Sequence, residues 1–113
     1  MRKYIVETRE KKATPILLSL TVRNVWKDGK IERDMGYDAA IEQLASEQHV
    51  LFVDMASIAA DTFEAKGQEK TALLFPEDHT HTSAEGAELN AKAVVSALAA
   101  AHSPLIAYLR SEE

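Results

Sequence analysis

A chain of 113 residues, 46% hydrophobic and without cysteine, can bury one modest core and excludes both a disulfide framework and thiolate chemistry. Its 18 acidic against 13 basic residues leave a formal charge of −5, which excludes the basic field that releases counterions from nucleic acid. No apolar run approaches the ~20 residues of a membrane span, and Glu7 falls where an export signal is uniformly apolar, so a soluble chain with no signal peptide and no membrane partner is expected.

In chain order, Tyr4, Ile5 and Thr8 among charged residues predict a helix over 1–12. It stops before Pro15, because the residue preceding a proline is pushed out of the helical region. The unbroken apolar run Pro15-Ile16-Leu17-Leu18-Ser19-Leu20 predicts a strand covered on both faces in a parallel sheet. Asp28-Gly29, set between Val25-Trp26-Lys27 and Lys30-Ile31, predicts a projecting hairpin. Asp34 is expected to cap a helix whose residues Tyr37, Ala40, Ile41, Leu44 and Ala45 share one face.

Val50-Leu51-Phe52-Val53 reads as a second buried strand. Asp54 then caps a helix reaching about Lys66, with Ile58, Ala59, Thr62 and Phe63 turned inward. The last helix runs from about Ser83 to His102, started by a Thr82-x-x-Glu85 box, with Ala87, Ala91, Val94, Val95 and Leu98 on its buried stripe. Strand and helix alternate as in a parallel sheet with right-handed crossovers. With no repeat or linker in between, residues 1–113 are read as a single α/β domain.

Ligand-binding residues of an open parallel sheet gather at the carboxyl ends of its strands. Thr21, Arg23 and Asn24 follow the first strand and Asp54 the second, so Arg23, Asn24, Asp78 and His81 are expected on one edge. Asp78-His79-Thr80-His81 sets a carboxylate and an imidazole three positions apart. At that separation an Asp accepts the Nδ1 proton of a His and leaves Nε2 outward as a base.

Such a base needs a nucleophile. The serines at 19, 46, 57, 83, 96, 103 and 111 lie in neither a Gly-x-Ser-x-Gly elbow nor a Gly-Asp-Ser turn, so the sequence carries half of a catalytic site. Other readings of the same residues stand beside this one. His79 and His81 with Asp78 or Glu77 are a possible metal set, but no further ligand cluster accompanies them and His49 and His102 read as helix-end or surface residues. No metal and no cofactor is therefore expected. Trp26 is either a sugar-stacking platform or an anchor for the ribbon, and Arg23 either binds a sugar carboxylate or forms a structural salt bridge.

Phe75-Pro76-Glu77-Asp78-His79-Thr80-His81-Thr82, followed by Glu85-Gly86-Ala87-Glu88-Leu89-Asn90-Ala91, resembles the Asp-x-x-His block of SGNH (GDSL-type) hydrolases, and of rhamnogalacturonan acetylesterases in particular. Upstream, Pro15 to Ser19, Thr21 with Arg23-Asn24, and Trp26-Lys27-Asp28-Gly29 resemble the strand and loop that precede this block, so the likeness covers most of the chain. It implies Asp78 as orienting acid, His81 as general base, His79 as a variable position, and an acetylated pectic or other polysaccharide ester as substrate. Members of this family are often secreted.

The family's block with the nucleophilic Ser, and those with the oxyanion-hole Gly and Asn, have no counterpart here, and Leu20 and Val22 stand where these esterases often carry prolines. The resemblance therefore implies a partial flavodoxin-like sheet: the carboxyl-terminal half of an SGNH hydrolase, with the amino-terminal strands missing. Alone, such a chain is expected to be inactive. It is either completed by an amino-terminal half or is a non-catalytic remnant or partner module, and its free sheet edge predicts a homo-oligomer.

Overall fold

A computed structural model describes residues 1–33 and 36–109. Helix α1 (Arg2–Glu10) leads into β1 (Ile16–Leu18), the short strands β2 (Trp26–Lys27) and β3 (Lys30–Ile31), helix α2 (Asp38–Gln48) and β4 (Leu51–Val53). Helices α3 (Met55–Lys66), α4 (Gln68–Ala72) and α5 (Ala84–Ala100) follow, and Pro104–Tyr108 forms a 3-10 turn. The protein is thus a mixed α/β unit with a small parallel sheet and flanking helices.

β1 and β4 pair in parallel with Ile16 opposite Leu51, Leu17 opposite Phe52 and Leu18 opposite Val53. Alternation along the strands divides the core in two. Leu17 and Phe52 meet Ile5, Ile41, Leu44, Ala45 and Val50 on the α1 and α2 side. Ile16, Leu51 and Val53 pack with Phe63, Ala59, Ala93 and Ala97 of α3 and α5 on the other. The hairpin forms as the sequence predicts: Asp28 and Gly29 take φ of 52° and 76°, the left-handed pair a tight two-residue turn requires.

The first strand departs from the expectation of cover on both faces, since Leu18 and Leu20 remain 39% and 37% exposed. Ser19 N–H donates to Val53 O at 3.0 Å, so residues 17 and 19 turn their backbone toward β4 while 16 and 18 turn outward, where the described residues place no further strand. Leu20 N–H on this open edge donates to the Asp38 carboxylate at 3.0 Å. An apolar groove of about 460 Å³ runs beside it, lined by Met1, Leu20, Tyr37, Ala40, Ile41 and Leu44.

Other local readings meet the structure at named residues. Asp54 caps α3 by accepting from Ser57 N at 3.3 Å, whereas Asp34 lies outside the described residues. The cap of α5 is Ser83, which accepts from Gly86 N at 3.1 Å, and not a Thr82 box. Its buried stripe is shifted from the expected one: Gly86, Ala93 and Ala97 are buried while Ala87, Ala91 and Val95 are exposed. Helix α4 and the 3-10 turn went unread, because the one buried residue of α4 is polar Thr71, held by its hydroxyl donating to Phe63 O at 3.0 Å.

A Cβ at Gly86 meets Thr82 Cβ at 2.9 Å and Leu74 O at 3.0 Å. The same carbonyl accepts from Ser83 N at 2.8 Å, so it has little room to move. Overpacking of this kind costs ~1–3 kcal/mol, against the ~1 kcal/mol that alanine gains over glycine in a helix. Gly86→Ala is therefore expected to lower the Tm, and a rise in thermal denaturation would refute the close approach.

Candidate active site

The loop between α4 and α5 builds its own geometry from four consecutive residues. Asp78 Oδ1 accepts from the backbone N–H of Thr80 at 2.8 Å and of His81 at 2.7 Å, a turn that Asp side chains make by mimicking the backbone. Its other oxygen lies 2.7 Å from His81 Nδ1. An ionised carboxylate only accepts, so the neutral imidazole carries its proton on Nδ1 and its free lone pair on Nε2.

The electrostatics agree with that assignment. The backbone N–H of His81, then its ring, then the N–H of Thr80 hold the Asp78 carboxyl well below the usual carboxylate range. The hydrogen bond to Asp78, then its charge, raises the His81 imidazole above its ordinary value. The His81 side chain is 80% exposed, so Nε2 is open to solvent and to a reacting hydroxyl.

The sheet edge reaches this loop through one main-chain bond: Asn24 N–H donates to His79 O at 2.8 Å. The Asn24 side chain accepts from the Trp26 indole N–H at 2.7 Å. Trp26 itself is partly buried and packs against the larger core. Farther along, Arg33 fixes the exit of the ribbon to α3, with its guanidinium 2.8 and 2.9 Å from Glu64, 2.6 Å from Asp61 and 3.2 Å from Ser57 O.

Asn24 thus joins the Asp78–His81 loop, and Arg23 is its chain neighbour. Arg23 is partly buried, and its side chain forms no ion pair or hydrogen bond among the described residues. Asp54 is drawn elsewhere: besides capping α3 it accepts from the buried Ser19 hydroxyl at 3.1 Å and from the Ser57 hydroxyl at 2.9 Å. Thr21 and His79 have exposed side chains. Among the described residues no three His, Cys, Asp or Glu side chains gather as a metal site, and no helix is long and apolar enough to cross a membrane. What sequence reasoning missed is the part played by main-chain donors, the N–H groups of Asn24 and Thr80, which no side-chain pattern marks.

No family model matches the chain. It is 36% identical over 93 residues to a rhamnogalacturonan acetylesterase of Emericella nidulans, a match that covers 79% of this chain and 37% of the relative. It is 31% identical over 104 residues to the probable rhamnogalacturonan acetylesterase YesY of Bacillus subtilis, covering 87% of this chain and 48% of the relative. Among solved structures, protein YxiM from Bacillus subtilis superposes with a TM-score of 0.82 at 26% identity, over 92% of this chain and 30% of that one. The chain therefore spans less than half the length of these relatives.

Proposed function

From the kinship of this chain to SGNH-type carbohydrate acetylesterases, we propose that Asp78 and His81 are the acid and base half of a serine esterase site acting on acetylated polysaccharide. One observation carries the reading: Asp78 Oδ2 stands 2.7 Å from His81 Nδ1 and leaves Nε2 exposed. The attacking serine comes from a polypeptide with a Gly-Asp-Ser-type turn, which this sequence lacks. His81 Nε2 takes the serine proton as the serine oxygen attacks the acetyl carbonyl, and Asp78 keeps Nδ1–H in place and stabilises the imidazolium. The proton then passes to the departing carbohydrate hydroxyl, and water, activated by the same base, releases acetate.

The test is reconstitution. The chain is co-purified with the part of the Emericella nidulans relative that lies outside the match, and acetate release from acetylated pectin is measured. Turnover by the complex and none by either part is the expected result. A complex that forms and releases no acetate makes the chain a non-catalytic module.

The edge of β1 beside which the described residues place no further strand carries the assembly proposal. Outward backbone groups beside exposed Leu18 and Leu20 and the adjacent apolar groove recruit another strand. In isolation the partner is a second copy in a two-fold arrangement. Sedimentation at micromolar concentration is expected to give a dimer or higher assembly, and a cooperatively melting monomer contradicts it.

A further inference from the structure

Within that esterase reading, on which this step rests, we infer that Asn24 and Trp26 are positioning residues that hold the loop carrying Asp78 and His81 in place against the ribbon. Residues 76–81 are exposed throughout, so packing does not fix them. Asp78 bonds to Thr80 and His81 within its own turn, and the loop closes at its base where Ser83 N–H donates to Leu74 O at 2.8 Å. Among the described residues, one hydrogen bond joins the stretch from Asp78 to His81 to the rest of the fold, from Asn24 N–H to His79 O at 2.8 Å.

Local structure aims that donor. Val25 N–H donates to Arg23 O at 2.8 Å, a three-residue γ-turn centred on Asn24 whose central N–H the turn itself does not use. The Asn24 side chain is fixed in its turn, since its oxygen accepts from the Trp26 indole N–H at 2.7 Å. Trp26 stands opposite the buried Ile31 and packs against the larger core, and Glu32 N–H closes the ribbon on Val25 O at 2.8 Å. Arg33, one residue on, bridges to Glu64 of α3. Contacts thus run from α3 and the core through the ribbon, Trp26 and Asn24 to the carbonyl two residues before His81. They carry position and not charge, because the Asp78 carboxylate belongs to the same turn as His81. A base displaced by about an ångström costs on the order of 10²-fold in rate, so the tie matters to any reaction at Nε2.

Three variants test it: Trp26→Phe keeps an aromatic ring and removes the indole N–H, Asn24→Ala removes its acceptor, and Asn24→Asp puts an oxygen back. Nitrogen-15 relaxation of the labelled chain is expected to give order parameters of about 0.85 at the Thr80 and His81 amides in the wild type, and below about 0.6 in Trp26→Phe and Asn24→Ala. Asn24→Asp restores the wild-type values, and the amides of α3 and α5 stay rigid in all four chains. The His81 imidazole titrates alike in all four, which separates a displaced base from a weakened one. In the reconstituted complex, Trp26→Phe and Asn24→Ala lower kcat by on the order of 10 to 10²-fold with KM unmoved. A loop as rigid in both variants as in the wild type, a wild-type loop already mobile, an Asn24→Asp chain as loose as Asn24→Ala, or an unchanged kcat beside a loosened loop overturns the inference. The relaxation measurement needs no turnover: a loop that loosens as expected in a complex that releases no acetate refutes the esterase reading alone, and an active complex whose loop stays rigid in both variants refutes the positioning role alone.

Discussion

In the reconstituted complex, His81→Ala is expected to cut acetate release by on the order of 10⁴-fold, whereas His79→Ala leaves it unchanged. The two histidines stand two positions apart on one exposed loop and differ in what they are bound to. The His81 ring is held at 2.7 Å by a carboxylate that two backbone N–H groups keep in place, while the side chain of His79 makes no described contact and only its carbonyl is used, by Asn24. Removing the base leaves any serine protonated and poorly nucleophilic, so the loss falls on kcat. Equal losses from both variants, measured as initial rates on acetylated pectin, make the loop a structural rather than a chemical element.

The largest effect on stability is expected from Phe63→Ala. Phe63 is 0% exposed at the centre of the larger core, its ring meets that of Phe75 edge to face at 5.7 Å, and its carbonyl accepts from the Thr71 hydroxyl. Truncations of buried phenylalanine cost ~3–5 kcal/mol, a large part of the ~5–15 kcal/mol that holds a domain together. The variant should lose its cooperative thermal transition by circular dichroism. Leu73→Ala, at a side chain 77% exposed, is the control and should melt like the wild type.

What the sequence disclosed was local. Asp28-Gly29 specifies its turn within two residues, Asp54 its cap within three, and Asp78 to His81 the carboxylate–imidazole contact within four, so each was legible without tertiary knowledge. The stripe of α5 was misread because an alanine-rich helix has nearly uniform hydrophobicity. The choice of Ala93 and Ala97 as the inner face is made by packing in one cluster with Ala56, Ala59 and Ala60 of α3, and that of Gly86 by the close approach of Leu74 O. The cover of β1 was misread for a related reason: an apolar run looks the same whether both of its sides are paired or one is left at an edge. The bond between Asn24 and His79 joins two loops distant in sequence through main-chain atoms, where side-chain identity carries no signal.

The central claim is that Asp78 orients the His81 ring and makes it a stronger base, and the titration of the His81 imidazole tests it directly. Pairing with an ionised Asp78 favours the imidazolium, so His81 gains protons at higher pH than an ordinary histidine, and its base form fills only as pH rises through that raised value. The acid limb of any activity should follow the same titration. By the same sign, Asp78 stays ionised well below the usual carboxylate range, so the pair loses its hydrogen bond only in strong acid. In a nuclear magnetic resonance titration of the isolated chain, the account predicts that His81 titrates above the ordinary histidine value of about 6.5 and falls toward it in Asp78→Asn. A His81 that titrates at the ordinary value in the wild type, unmoved by Asp78→Asn, contradicts it.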